Sequence, residues 1–330
     1  MRGLGPFVLE CREELDIDAI PVLFEGYIEG EHFLLECHPD ADRQPALHAF
    51  VQTATDALRR LDVPATIVAT GNLEAAYRVR GVPGSYAAPG YTPVALVSMR
   101  DGVPEILVDS AALEGRGTTG TPSLSRVRRL ALHEVVHAFL GHHMIGLDLG
   151  IEAGHLVTGL SPTAGYLAMV SSYALQEYTA DLWAAHLSVE QPVSRYLPHL
   201  AADWKRAQPG LQEASRVEPS RESVRLLMPT VIGYLRHIAQ AAVELRLIPG
   251  IDKTLTIEGL PDGIGVLLRR WAGSARALGD APSTEIDRRI AVTVDWSLAL
   301  ADWMSQLVGF RVGSVEDPSV FWMPFHAAAE

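Results

Sequence analysis

Residues 133–143 read HEVVHAFLGHH, four histidines and one glutamate in eleven positions. On a helix, His133 and His137 project about 40° apart and can share one ion. Glu134 lies beside them, where its carboxylate can reach a water on that ion. This is the H-E-x-x-H arrangement: two imidazoles bind zinc and the glutamate serves as general base. The competing reading is an amphipathic core helix with two solvated or buried histidines. The flanking Leu132, Val135, Val136, Phe139 and Leu140 would bury the helix. Ring nitrogens in such surroundings need partners, and a metal supplies one.

Working outward, Thr121 fits as the N-cap of this helix and Pro122 as its first residue. The helix then runs through SLSRVRRLALHEVVHAFL, with Gly141 near its end. Upstream, PFVLEC (6–11) and IPVLFEGYIEGEHFLLEC (20–37) read as strands, the second a hairpin turning near EGE. PALHAFVQTATDALRRL (45–61) has apolar spacings of three and four and reads as a helix. ATIVAT (65–70) is a short buried strand, and VALVSMRDGVPEILVDS (94–110) two strands joined at RDG. GVPGSYAAPGYTP and EGRGTTG are Gly-rich loops.

Downstream, five glycines in 146–165 predict an irregular or loosely helical connection. A helical pattern resumes from Tyr166 to about Val189, and further helices are expected over 190–206, 220–246, 262–278 and 284–309. QPGLQEASRVEPS (208–220) is a candidate hinge or lid. The expected fold class is α+β: an N-terminal α/β sublobe, 1–145, with a mixed sheet and the histidine helix, then a mostly helical sublobe, 146–330.

A catalytic zinc takes three protein ligands and keeps one position open. One candidate for the third is His143, if the chain turns back at Gly141. That offset resembles the metzincins, but their pattern wants glycine at position 140, which is Leu here. Met169, which could stand for their Met-turn, falls in a helical pattern. A second candidate is Glu177, in QEYTADLWA (176–184), four residues before Asp181 on one helical face. The combination resembles the gluzincin metallopeptidases, in which H-E-x-x-H is followed by a helix bearing E-x-x-x-D. The resemblance covers roughly residues 104–189 and extends to Ala180 and Trp183. It implies a zincin-like fold, Glu177 as third zinc ligand, and Asp181 as acceptor for the outer N–H of His133. The bland reading of Glu177 and Asp181 is a solvent-facing carboxylate pair. Asp148, Glu152 and His155 form a third group, read as cleft-mouth or solvated residues, and His142 as exposed or supporting.

Hydrolysis of a peptide bond also needs a donor for the oxyanion. Gluzincins use a Tyr or His beyond the third ligand, which implies His237 here, with Tyr234, Tyr173 and His326 as weaker options. The strand PEILVDS (104–110) would sit at a sheet edge and accept an extended substrate, or else be an ordinary interior strand.

Composition bounds the rest. The 330 residues suffice for a large core, and the net charge of −13 disfavours nucleic acid and anionic membranes as partners. Cys11 and Cys37 are too few for a disulfide framework or a four-thiolate zinc site. No signal peptide and no uncharged 20-residue span is visible, so a cytoplasmic location is expected. The expected function is that of a soluble zinc-dependent metallopeptidase with one Zn2+ per chain, acting on a peptide or protein. Two alternatives stay open: a regulatory or binding protein on a zincin scaffold that acts on one partner, and a tailoring amidohydrolase acting on a small peptide product. The sequence leaves the oligomeric state open.

Overall fold

The computed structural model describes residues 20–28, 31–36, 42–80, 94–115, 122–143, 145, 148–188, 196–216, 221–248, 260–261, 263–280, 285–308, 310–312 and 321–322. Expectations for PFVLEC, Thr121, the loop at 81–93, Cys11, Cys37 and His326 lie outside these residues. The architecture is mixed α+β, and the chain separates into two compact units, 1–84 with 93–142, and 85–92 with 143–330.

The first unit is built on a five-stranded sheet of order β2-β1-β3-β5-β4. Its strands are β1 (Val22–Ile28), β2 (Glu31–Glu36), β3 (Thr66–Thr70), β4 (Ala95–Arg100) and β5 (Val103–Asp109). Hairpins β1–β2 and β4–β5 are antiparallel, while β3 pairs parallel with both β1 and β5. Helix α1 (Pro45–Leu61) connects β2 to β3, α2 (Leu73–Val79) follows β3, the short α3 (Ser110–Leu113) follows β5, and α4 is Leu124–His142. On one face of the sheet, Val68 and Leu107 pack with Leu73, Ala76 and Tyr77 of α2. Helix α4 packs on α1, β4 and β5. At the end of α2, buried Arg80 donates to Glu25 Oε1 at 2.8 Å and Glu105 Oε2 at 2.5 Å, joining β1 and β5 by charge.

The expected edge strand is therefore an interior one. β5 lies between β3 and β4, and residues 104–108 are all buried, as a strand covered on both faces must be. β4 holds the edge instead, with Ala95 and Ser98 buried and Met99 and Arg100 exposed. Sequence reading also passed over α2, whose start is signalled by Asn72: its side chain accepts from Ala75 N at 3.0 Å. Helix α4 starts later than expected, with Ser123 Oγ accepting from Arg126 N and Pro122 outside the helix. It also runs through Gly141 to His142. A Cβ on Gly141 would stand 3.0 Å from Met99 Sδ, so this glycine serves close approach to β4 rather than a turn.

The second unit is helical: α5 (Asp148–Thr158), α6 (Pro162–Leu187), α7 (Leu200–Arg216), α8 (Arg221–Leu247), α9 (Ile264–Ser274) and α10 (Ile286–Val308). A two-stranded ribbon, β6 (Arg311–Val312) with β7 (Phe321–Trp322), follows. Helix α6 is central, packed by α5, α8 and α10 and buried around most of its circumference. The connection expected to be irregular or loosely helical is, over 148–165, helix α5 followed by the first turn of α6, capped by Ser161 Oγ accepting from Ala164 N. Its glycines permit helix contact. A Cβ on Gly165 would meet Thr158 Oγ1 at 2.1 Å, and one on Gly150 the Met169 backbone at 3.0 Å. Helix α7 begins ten residues later than expected, after a 3-10 turn at Leu197–His199. It continues past Pro209 to Arg216, so most of the expected hinge is helix.

Candidate metal centre

Helix α4 carries its sequence motif into the interior of the first unit. His133 and Glu134 are buried, at 5% and 4% exposure, and His137 is half-buried. Val135, Val136, Ala138, Phe139 and Leu140 are buried too, which fixes the rotation of the helix. The two imidazoles lean together, with ring centroids 4.8 Å apart and planes at 68°. Their Nε2 atoms are 3.1 Å apart. Two imidazole nitrogens on one tetrahedral zinc, each at about 2.0–2.1 Å, lie about 3.3 Å from one another. The spacing fits a shared ion as well as a hydrogen bond between the two Nε2 atoms, one ring donating and the other accepting.

In the second unit, Glu177 sits mid-way along central α6 and is 4% exposed. Arg236 of α8 places its Nε 2.8 Å from Glu177 Oε2. Among the described residues, His133, His137 and Glu177 form a group whose potential ligand atoms all lie within 4.8 Å of one another. The group could hold a metal ion. Two imidazoles and one carboxylate make a donor set that suits a divalent metal ion.

The remaining candidates are not members of that group. His143 is an exposed turn residue after α4 and is not in the group, because α4 does not turn back at Gly141. Met169 lies inside α6, so no turn carries it. Glu152 and His155 are exposed on α5, in keeping with solvated residues, and His142 is half-buried. Asp181 is buried on α6 one turn beyond Glu177, at 3% exposure, which removes the reading of a solvent-facing pair.

His237 lies on α8, next to Arg236. Its Nδ1 is 2.7 Å from Asp203 Oδ2 of α7, and its ring stacks on Tyr196 at 6.4 Å. Burial lowers its pKa from 6.5, and the Asp203 carboxylate opposes that shift. Tyr234 is buried against Trp204 and Trp303, and the same burial, with Asp203 nearby, raises its phenol pKa strongly. Tyr173 is half-buried on α6. Two partners escaped sequence reading, Arg236 for Glu177 and Asp203 for His237. Their pairings span 59 and 34 residues by number. The only local signal was the adjacency of Arg236 to His237 on one helix.

No family model, no curated protein and no solved structure matches this chain. No described helix is long and apolar enough to cross a membrane.

Proposed function

We propose that the protein is a zinc-dependent metallopeptidase of the gluzincin type, with a zincin-like arrangement around α4. The observation that supports this most directly is the convergence of His133, His137 and Glu177 within 4.8 Å, with Glu134 buried next to the pair. Zinc, when bound, supplies a Lewis acid that acidifies water and polarises the scissile carbonyl. His133, His137 and Glu177 would hold it. Glu134 takes the proton from the attacking water and passes it to the leaving amine. Asp181 accepts from the outer N–H of His133 and so selects the tautomer that presents the inner nitrogen. His237, whose Nδ1 lies 2.7 Å from Asp203 Oδ2, would be the donor to the developing oxyanion. The edge strand β4, which packs against α4, offers backbone groups to an extended peptide, a role first expected of β5.

The test is Glu134→Gln on the purified chain. Zinc content should stay at one per chain while cleavage of a broad peptide library falls by about 10²–10⁴-fold. A variant as active as wild type on every cleaved substrate refutes the mechanism. Bound zinc with no turnover by the wild type itself favours a scaffold that acts on one dedicated partner.

A further inference from the structure

Arg289 carries its charge into the core of the helical unit without an acid to meet it. It stands in the first turn of α10 and is 2% exposed, where α10 packs on α6. Other enclosed arginines face carboxylates: Arg80 meets Glu25 and Glu105, and Arg246 meets Asp280. Arg289 has no acidic partner among the described residues. The nearest acids in sequence, Glu285 and Asp287, are exposed, and Glu285 pairs with Arg288 at 2.8 Å. The guanidinium lies 5.2 Å from the centre of the Trp183 ring. Both of its terminal nitrogens reach one acceptor, Thr179 Oγ1, at 3.4 and 3.5 Å, the long limit of a hydrogen bond. A guanidinium offers five N–H donors, so a single hydroxyl leaves most of them unmatched. Burial lowers its pKa to about 10, with no carboxylate opposing the shift, and the group is still charged at neutral pH. The positive end of α10 adds to that charge rather than relieving it.

A buried charge in this condition destabilises a fold unless a counter-ion meets it. Thr179 is already committed, its hydroxyl donating to Leu175 O at 2.7 Å, and Trp183 offers only a ring face. What the surroundings lack is negative charge. We infer that Arg289 is the centre of an anion site in the helical unit, one that takes a small oxyanion, a carboxylate or a phosphate, against the donors the chain leaves unmatched. Thr179 and Glu177 are two residues apart on α6 and so project about 200° from one another. The site therefore faces away from Glu177, and it does not rest on the reading of the metal centre. Its occupant ties α10 to α6 by charge, as Glu25 and Glu105 do for Arg80 in the sheet.

The experiment follows thermal unfolding of the full chain in Tris-chloride at fixed ionic strength, with sodium chloride replaced stepwise by sodium acetate or by sodium phosphate. Wild type should show a saturable rise in melting temperature of about 2–4 °C with at least one of the two. A response to acetate assigns a carboxylate site, and a response to phosphate a phosphate site. Arg289→Met fills similar space without charge. It should melt at or above wild type in chloride and show no saturable rise with either salt. This variant keeps His133, His137 and Glu177, so an anion bound at a metal there would still raise its melting temperature. If the methionine variant does not fold, Arg289→Lys carries the comparison, since an ammonium lacks the two-pronged match to an oxyanion and should need about tenfold more salt for half saturation. Absence of a saturable response in wild type means that water meets the guanidinium, and it overturns the inference. An equal response in Arg289→Met or in Arg289→Lys is a general salt effect and overturns it as well.

Discussion

At the scale of single residues, the proposed centre rests on three potential ligand atoms, those of His133, His137 and Glu177. The 3.1 Å between the two imidazole nitrogens is set by one helical turn and by the apolar residues that lock the rotation of α4. Removing a ligand should therefore empty the site without touching the helix. His137→Ala and Glu177→Ala are expected to lose stoichiometric zinc, while His143→Ala keeps it, as measured by mass spectrometry of metal content. Zinc retention by Glu177→Ala and loss by His143→Ala would exchange the roles of the two residues. His237 gives a pH signature. Burial lowers its folded-state pKa below 6.5, so the unfolded chain takes up the proton first as pH falls. Its contribution to stability is complete above that value and is lost as pH drops from about 6.5 through the folded pKa. His237→Asn, which keeps a donor towards Asp203 but does not titrate, should show a smaller fall in melting temperature between pH 7.5 and pH 5.5 than wild type.

At the scale of elements, helix ends are completed by acids distant in sequence. Gln44, before α1, makes no side-chain cap, and Glu114 supplies one from beyond α3. Its Oε1 accepts from Ala46 N and Leu47 N, each at 3.0 Å. Glu244 of α8 does the same for the turn that leads into α7, accepting from Tyr196 N at 2.8 Å and Leu197 N at 3.0 Å. Both satisfy backbone donors that a helix start would otherwise leave unmade. Glu244→Ala should destabilise the protein by about 1–2 kcal/mol, read from urea unfolding, with zinc stoichiometry unchanged. A variant as stable as wild type would mean that water replaces this cap. The same scale explains the expectation at 146–165 of an irregular or loosely helical connection: the described part is helical, and its glycines allow α5 to lie against α6.

At the scale of the whole molecule, two cores are built by different rules. The first unit packs helices on a sheet whose interior strands, β3 and β5, are buried over Ile67–Thr70 and Pro104–Val108. The second surrounds α6 with other helices and holds aromatic contacts such as the Trp271–Trp296 stack at 4.1 Å. A metal held only by the native chain shifts the unfolding equilibrium by mass action. Zinc at a hundredfold excess over its Kd should stabilise the protein by about 2.7 kcal/mol, seen as a rise in melting temperature that chelator reverses. His137→Ala should show no zinc-dependent rise. If it rises as far as wild type does, the stabilising ion is bound elsewhere.

What the sequence alone determined is what short-range geometry can encode. The four-residue spacing of His133 and His137 puts two rings on one helical face, and the same spacing aligns Glu177 with Asp181. Apolar periodicity placed most helices, and the run at 104–110 marked a strand. Only the tertiary structure decided the rest, because it depends on distances between residues far apart in the chain. It seated β5 inside the sheet and gave β4 the edge. It joined Arg236 to Glu177 and Asp203 to His237, and let Glu114 and Glu244 cap helices they do not belong to. Period and propensity act within a few residues along one element, whereas a buried charge finds its partner through packing, which no local pattern records.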